Sequence, residues 1–133
     1  MKQKPLNCNI VVQSAVAQVY TRLQLAAMHG VYAFYADLSP ALFGISLTRV
    51  STEQADTLWE LIRLTMEMDS KANRLPLAAL YISRVGNEKK PRAPFFIEYK
   101  RLYGKDLDNE GWDVLVRQVW EQNSIIQHIH SEQ

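Results

Sequence analysis

The chain has 133 residues, of which 47% are hydrophobic and 22% charged, and its formal net charge is +1. That length suits one domain able to bury about two-thirds of its unfolded surface without a metal or disulfide staple, and the composition excludes a disordered polymer. A net charge near zero also excludes a global field drawing the protein to nucleic acid or membrane, so any such attraction must be local.

The single cysteine, Cys8, cannot close an internal disulfide and fits a reducing compartment, with the cytoplasm as the expected location. The opening MKQKPLNCNIVV is broken by Pro5, Asn7 and Asn9 where a signal peptide needs an unbroken apolar run. Gln13, Gln18, Arg22 and Gln24 likewise interrupt the longest candidate for a membrane span. A soluble protein with no membrane partner is expected.

From Ile10 to Met28, residues Val12, Ala15, Val16, Val19, Tyr20, Leu23, Ala26 and Ala27 recur at spacings of three and four, which predicts an amphipathic helix. Asn9 can cap its start, and Gly30 after His29 can end it. Val31 to Leu38 is apolar and aromatic but too short for periodicity to separate a strand from a buried helical piece. Ser39 and Pro40 predict one helical turn closed at Gly44, and the β-branched content of 45-50 predicts a short strand.

Ser51 and Gln54 have capping-box spacing, Val50 and Ala55 can form a hydrophobic staple, and Ala55, Leu58, Trp59, Ile62 and Met66 make one stripe of a second helix. Glu53, Asp56, Glu60, Glu67 and Asp69 against Arg63 make that helix acidic, and a charge run of this kind reads as a solvated face. Fraying is expected through Ser70 to Arg74, with a stop before Pro76. Leu77 to Val85 is bounded by Pro76 and by Gly86 with Asn87 at strand length, so a strand is expected over 77-84.

Pro91 and Pro94 stiffen the next loop, and a helix is predicted over Phe95 to Tyr103 with Gly104 past its end. Asp108 can cap a last helix bearing Trp112, Leu115, Val116, Val119 and Trp120 and running on to Ile126 and Ile129. It too is acidic early, with Asp106, Asp108, Glu110 and Asp113. The fold class expected is mainly α, one compact domain over 1-133 with four to five helices, room for two or three short strands (45-50, 77-84), and fraying at 1-8 and 127-133.

The functional clue in this pattern is Arg84 to Lys105, where seven basic side chains stand against Glu88 and Glu98 and aromatic rings interleave. Such a stretch can hold phosphates and stack bases, or dock on an acidic protein. Its cations divide into a loop group, Lys89, Lys90 and Arg92, and a helix group, Lys100, Arg101 and Lys105. On a helix Phe95, Tyr99 and Leu102 share one face, so the rings are expected in the core with tyrosine hydroxyls reaching out. The bland reading of the whole stretch is a surface loop followed by a docked helix.

Little points to catalysis. His128 and His130 are two apart and diverge on a helix, His29 sits beside a helix end, and Cys8 has no activating neighbour. The five glycines are scattered singly, so no phosphate loop forms, and Trp59, Trp112 and Trp120 read as core. Trp120 beside Val119 makes the last stripe too wide for one packing face, which points to a second contact surface. The expected function is a non-enzymatic interaction or regulatory protein without cofactor or metal, acting on a protein partner or on a second copy of itself. Nucleic-acid binding through the basic aromatic segment 84-105 is the alternative. The candidate partner-binding residues are Lys89, Lys90, Arg92, Lys100, Arg101 and Trp120.

Overall fold

A computed structural model of the chain describes residues 8–34, 38, 52–82, 91, 93–126 and 129. The elements in order are α1 (Cys8–His29), β1 (Ala33–Phe34), α2 (Thr52–Lys71), a 3-10 turn (Leu77–Leu80), β2 (Tyr81–Ile82), α3 (Ala93–Tyr103) and α4 (Asn109–Asn123). The protein is thus mainly α-helical, with a two-stranded parallel sheet in which Ala33 pairs with Tyr81 and Phe34 with Ile82. The turn expected after Pro40, the strand at 45-50, the Ser51 cap and the loop at 84-90 all lie outside the described residues.

The helix ends follow local chemistry. Gly30 adopts φ +67 past α1, where its amide donates to the carbonyl of Ala27 and that of Val31 to Ala26, a Schellman closure that satisfies two end carbonyls. The end of α2 repeats this with Asn73 at φ 56, the amide of Asn73 donating to Ser70 and that of Arg74 to Asp69. Gly104 at φ +72 ends α3 with a single bond to the carbonyl of Lys100. The Asp108 carboxylate caps α4 by accepting from the amide of Gly111 at 2.7 Å.

The core gathers Val16, Val19, Leu23, Ala26 and Ala27 of α1, Leu58, Ile62 and Met66 of α2, Phe95 and Tyr99 of α3, and Trp112, Leu115, Val116 and Val119 of α4. At its centre lies the 3-10 turn, buried at all four residues and packed against α1, α2 and α4. Here the expected strand over 77-84 is corrected: among its described residues Tyr81–Ile82 pairs and Leu77–Leu80 coils, while 83 and 84 lie outside the described residues. Pro76 (φ −73) leads into the turn, and the amide of Ala79 donates to its carbonyl. α3 also begins two residues earlier than expected, at Ala93, and α4 stops at Asn123 with an extended Ser124 before the helical backbone at 125–126.

A buried segment must find partners for its backbone groups, because an orphaned amide or carbonyl costs about as much as a lost hydrogen bond. Two side chains supply them. The Asp69 carboxylate accepts from the amide of Leu77 at 3.0 Å, and the Trp112 indole donates to the carbonyl of Ala79 at 2.8 Å.

Candidate functional site

Of the basic segment's candidates, Lys89, Lys90 and Arg92 lie outside the described residues. Lys100 and Arg101 occupy the exposed side of α3, and both meet carboxylates. Lys100 Nζ lies 3.1 Å from Asp106 Oδ1. Arg101 donates through Nε to Glu98 at 2.7 Å, and its Nη2 contacts both Glu98 and Glu67, the latter at 2.9 Å. Glu67 also accepts from Arg63 Nη1 at 2.8 Å, and Arg63 reaches Glu60 at 3.0 Å. The result is an alternating chain, Glu60, Arg63, Glu67, Arg101, Glu98, lacing α2 to α3.

Within that chain the Arg101 guanidinium, and after it Arg63, holds the Glu67 carboxyl below the usual carboxylate range, against the opposing pull of partial burial. The hydrogen bonds that Arg101 donates to Glu98 and then to Glu67 raise its guanidinium in turn. Three carboxylates around two guanidiniums leave no positive excess on this face. The rings behave as the spacing suggested: Phe95 and Tyr99 are buried, and Tyr99 stacks on Tyr103 at 4.8 Å between centroids.

Trp120 faces inward. Its indole donates to the carbonyl of Val31 at 3.0 Å and its ring meets the edge of Tyr32 at 5.2 Å, while Tyr32 also stacks near Trp112 at 6.0 Å. Trp120, expected as part of a second contact surface for a partner, thus contacts the segment leaving α1 within the chain itself.

One constellation escaped the sequence. Asp69 is 0% exposed, and its carboxylate accepts from the Tyr20 hydroxyl at 2.8 Å and Arg74 Nε at 3.0 Å as well as from the Leu77 amide. The Schellman turn at Asn73 swings Arg74 back over the carboxylate and places its guanidinium 5.8 Å from the Tyr20 ring centroid. The Tyr103 hydroxyl donates to the carbonyl of Arg74 at 2.8 Å, which ties α3 in. Burial first, then the hydrogen bond to Asp69 and its charge, push the Tyr20 hydroxyl up to about 12, with Arg74 pulling the other way.

Burial likewise raises Tyr103. With three donors converging on a carboxylate sealed from water, the cluster is a clamp joining α1, α2, the 3-10 turn and α3. Its signal was present, because Asp69 continues the stripe of Leu58, Ile62 and Met66 one turn further.

The other unforeseen feature is the outer face of α1. Val16, Val19, Leu23, Ala26 and Ala27 point into the core, while Ile10, Val11, Ser14, Ala17, Gln18, Thr21 and Leu25 line the opposite side and are all exposed. Ile10 is 57% exposed, Val11 48% and Leu25 41%, and no charged residue occurs between Lys4 and Arg22. Neither a metal-holding group of three His, Cys, Asp or Glu side chains nor a helix long and apolar enough to cross a membrane occurs among the described residues. No family model, curated protein or solved structure matches the chain.

Proposed function

We propose that this protein is a non-enzymatic interaction or regulatory module that works through protein–protein contact, in the cytoplasm, with α1 as the contact element. The observation that carries this reading is the outer face of α1, where the large aliphatic side chains of Ile10, Val11 and Leu25 stand in water among amides and hydroxyls, with exposed Arg22 at the edge. Leaving such groups exposed forfeits about 25 cal/mol for each Å² of apolar surface, and a partner recovers it. The lone Cys8 is the support for a reducing compartment.

The nucleic-acid alternative draws less support. Its helix half, Lys100 and Arg101, is matched by Asp106, Glu98 and Glu67, so releasing those cations to phosphate would strand carboxylates beside the backbone of the nucleic acid.

A photo-reactive residue placed at Gln18 in the full chain, activated in cells, tests the reading. The expected product is one discrete cross-linked polypeptide species, absent when the same residue replaces exposed Lys71. If Gln18 yields no specific polypeptide adduct and the purified chain instead retains nucleic acid that high salt removes, the reading fails.

A further inference from the structure

The helix that carries the rings and half the cations of the basic segment is also the most lightly held. We propose that α3 is a latched element that leaves α2 as a unit while the rest of the core stays folded, and that its release frees those rings and cations. The inference goes beyond the reading of α1 and does not depend on it.

Packing comes first. Among the described elements, α1, α2 and α4 all pack against the 3-10 turn, and α2 and α4 also pack against α1, whereas α3 has α2 as its one substantial neighbour. Within α3, Phe95, Glu98 and Tyr99 are buried, and one of the three is a carboxylate. Its rings pair with one another: Phe95 with Phe96 at 5.7 Å between centroids, Phe95 with Tyr99 at 6.1 Å, and Tyr99 with Tyr103. Those contacts lie inside the helix rather than across the seam. An element joined to the body by few contacts opens at a lower free energy than the body itself.

The bonds that do cross the seam are of a kind that water replaces. Arg101 donates to Glu67 at 2.9 Å, the Ser70 hydroxyl to the carbonyl of Leu102 at 3.4 Å, and the Tyr103 hydroxyl to the carbonyl of Arg74 at 2.8 Å, all at exposed or half-buried positions. Opening strands no charge, because Glu67 stays with Arg63 while Glu98 and Arg101 leave together. The 3-10 turn is the opposite case. Its bonds to Asp69 and Trp112 are buried, so pulling it out would orphan an amide and a carbonyl.

The backbone after α3 gives the movement a pivot. Gly104 stands at φ +72 with open space where a side chain would be, and Lys105 and Asp106 are exposed before Asp108 caps α4. Docked, α3 keeps Phe95 and Tyr99 from water and Arg101 matched by two carboxylates. Released, the rings are uncovered and Arg101 is parted from Glu67.

Native-state hydrogen exchange of the full chain tests this. A helix as short as α3 is marginal alone in water, so release melts it and its amides exchange. Under rising sub-denaturing urea, the amides of 98–103 should share one opening whose urea slope is at most about half that of buried Leu23 in α1. Val119→Ala weakens the core from α4. It should speed the Leu23 amide by about tenfold or more and leave the α3 amides unchanged, since their opening keeps Val119 packed. Glu67→Gln removes the charge that holds Arg101 across the seam and should speed the α3 amides by about two- to fivefold. Amides of α3 that share the Leu23 slope, that accelerate with Val119→Ala by the same factor, or that do not respond to Glu67→Gln would each overturn the inference.

Discussion

Asp69 shows how one side chain can hold four elements. A carboxylate offers only acceptors, and here the donors come from α1 (Tyr20), from the turn after α2 (Arg74) and from the start of the 3-10 turn (the Leu77 amide). Asp69→Asn keeps the volume but turns one acceptor into an NH₂ group that confronts a donor. Arg74, whose side chain is 55% exposed, can turn to water, so the loss falls on the Leu77 amide and the Tyr20 hydroxyl.

An unsatisfied buried partner of this kind costs ~1–3 kcal/mol. Urea unfolding of Asp69→Asn should therefore show a lower midpoint with an unchanged slope, whereas Glu60→Gln, on the solvent side of the same helix, should shift stability by less than ~1 kcal/mol. Equal effects from the two variants would remove Asp69 from its role as clamp. Asp69 was legible in position but not in kind. Its spacing places it on the apolar stripe, but the run of carboxylates around it pulls the reading toward solvent, and only the donors delivered from other elements explain its burial.

Among the elements, ends were easier to read than interiors. Gly30, Gly104 and Asp108 mark helix boundaries because their requirements are local: a positive φ, or one short side chain reaching back to an amide. The run Leu77–Leu80 was unreadable for the opposite reason. Leu-Ala-Ala-Leu fits a buried strand or a buried turn equally by hydrophobicity, and the choice is made by Asp69 and Trp112, distant residues that satisfy a coiled backbone.

In the sequence the α1 outer face has only the pattern of the polar side of an amphipathic helix, and Ile10, Val11 and Leu25 are exposed there because the core packs on Val16, Val19, Leu23, Ala26 and Ala27. A methyl group added at Gly104 would meet no heavy atom within 4 Å, so Gly104→Ala feels backbone conformation alone at φ +72. That conformation costs an L-residue ~1–2 kcal/mol, which should lower Tm by roughly 3–8 °C in thermal unfolding followed by circular dichroism. An unchanged Tm would mean that the turn relaxes out of the positive-φ region at no cost.

For the whole molecule, these paired charges bound the pH range of stability from both sides. Glu67 is held below its usual 4.5 when folded, so its contribution is present above that pH and is lost as pH falls beneath it. Tyr20 sits on the other side. Its hydroxyl moves from 10.0 up to about 12 on folding, so the folded state keeps a proton that the unfolded chain gives up. Its contribution is full below pH 10 and declines as pH rises from 10 through about 12.

Unfolding free energy should consequently be flat between about pH 5 and 10 and fall on either side. Tyr20→Phe keeps the ring under Arg74 and removes the hydroxyl, so the variant should start less stable at neutral pH and fall less steeply above pH 10. Tyr103, raised by burial and the Asp69 charge, retains a share of the alkaline slope. Urea titrations of both chains in parallel from pH 7 upward decide the point. Curves that stay parallel above pH 10 would show that the Tyr20 hydroxyl is not what the alkaline limb titrates, whereas converging curves tie that limb to the hydrogen bond from Tyr20 of α1 to Asp69.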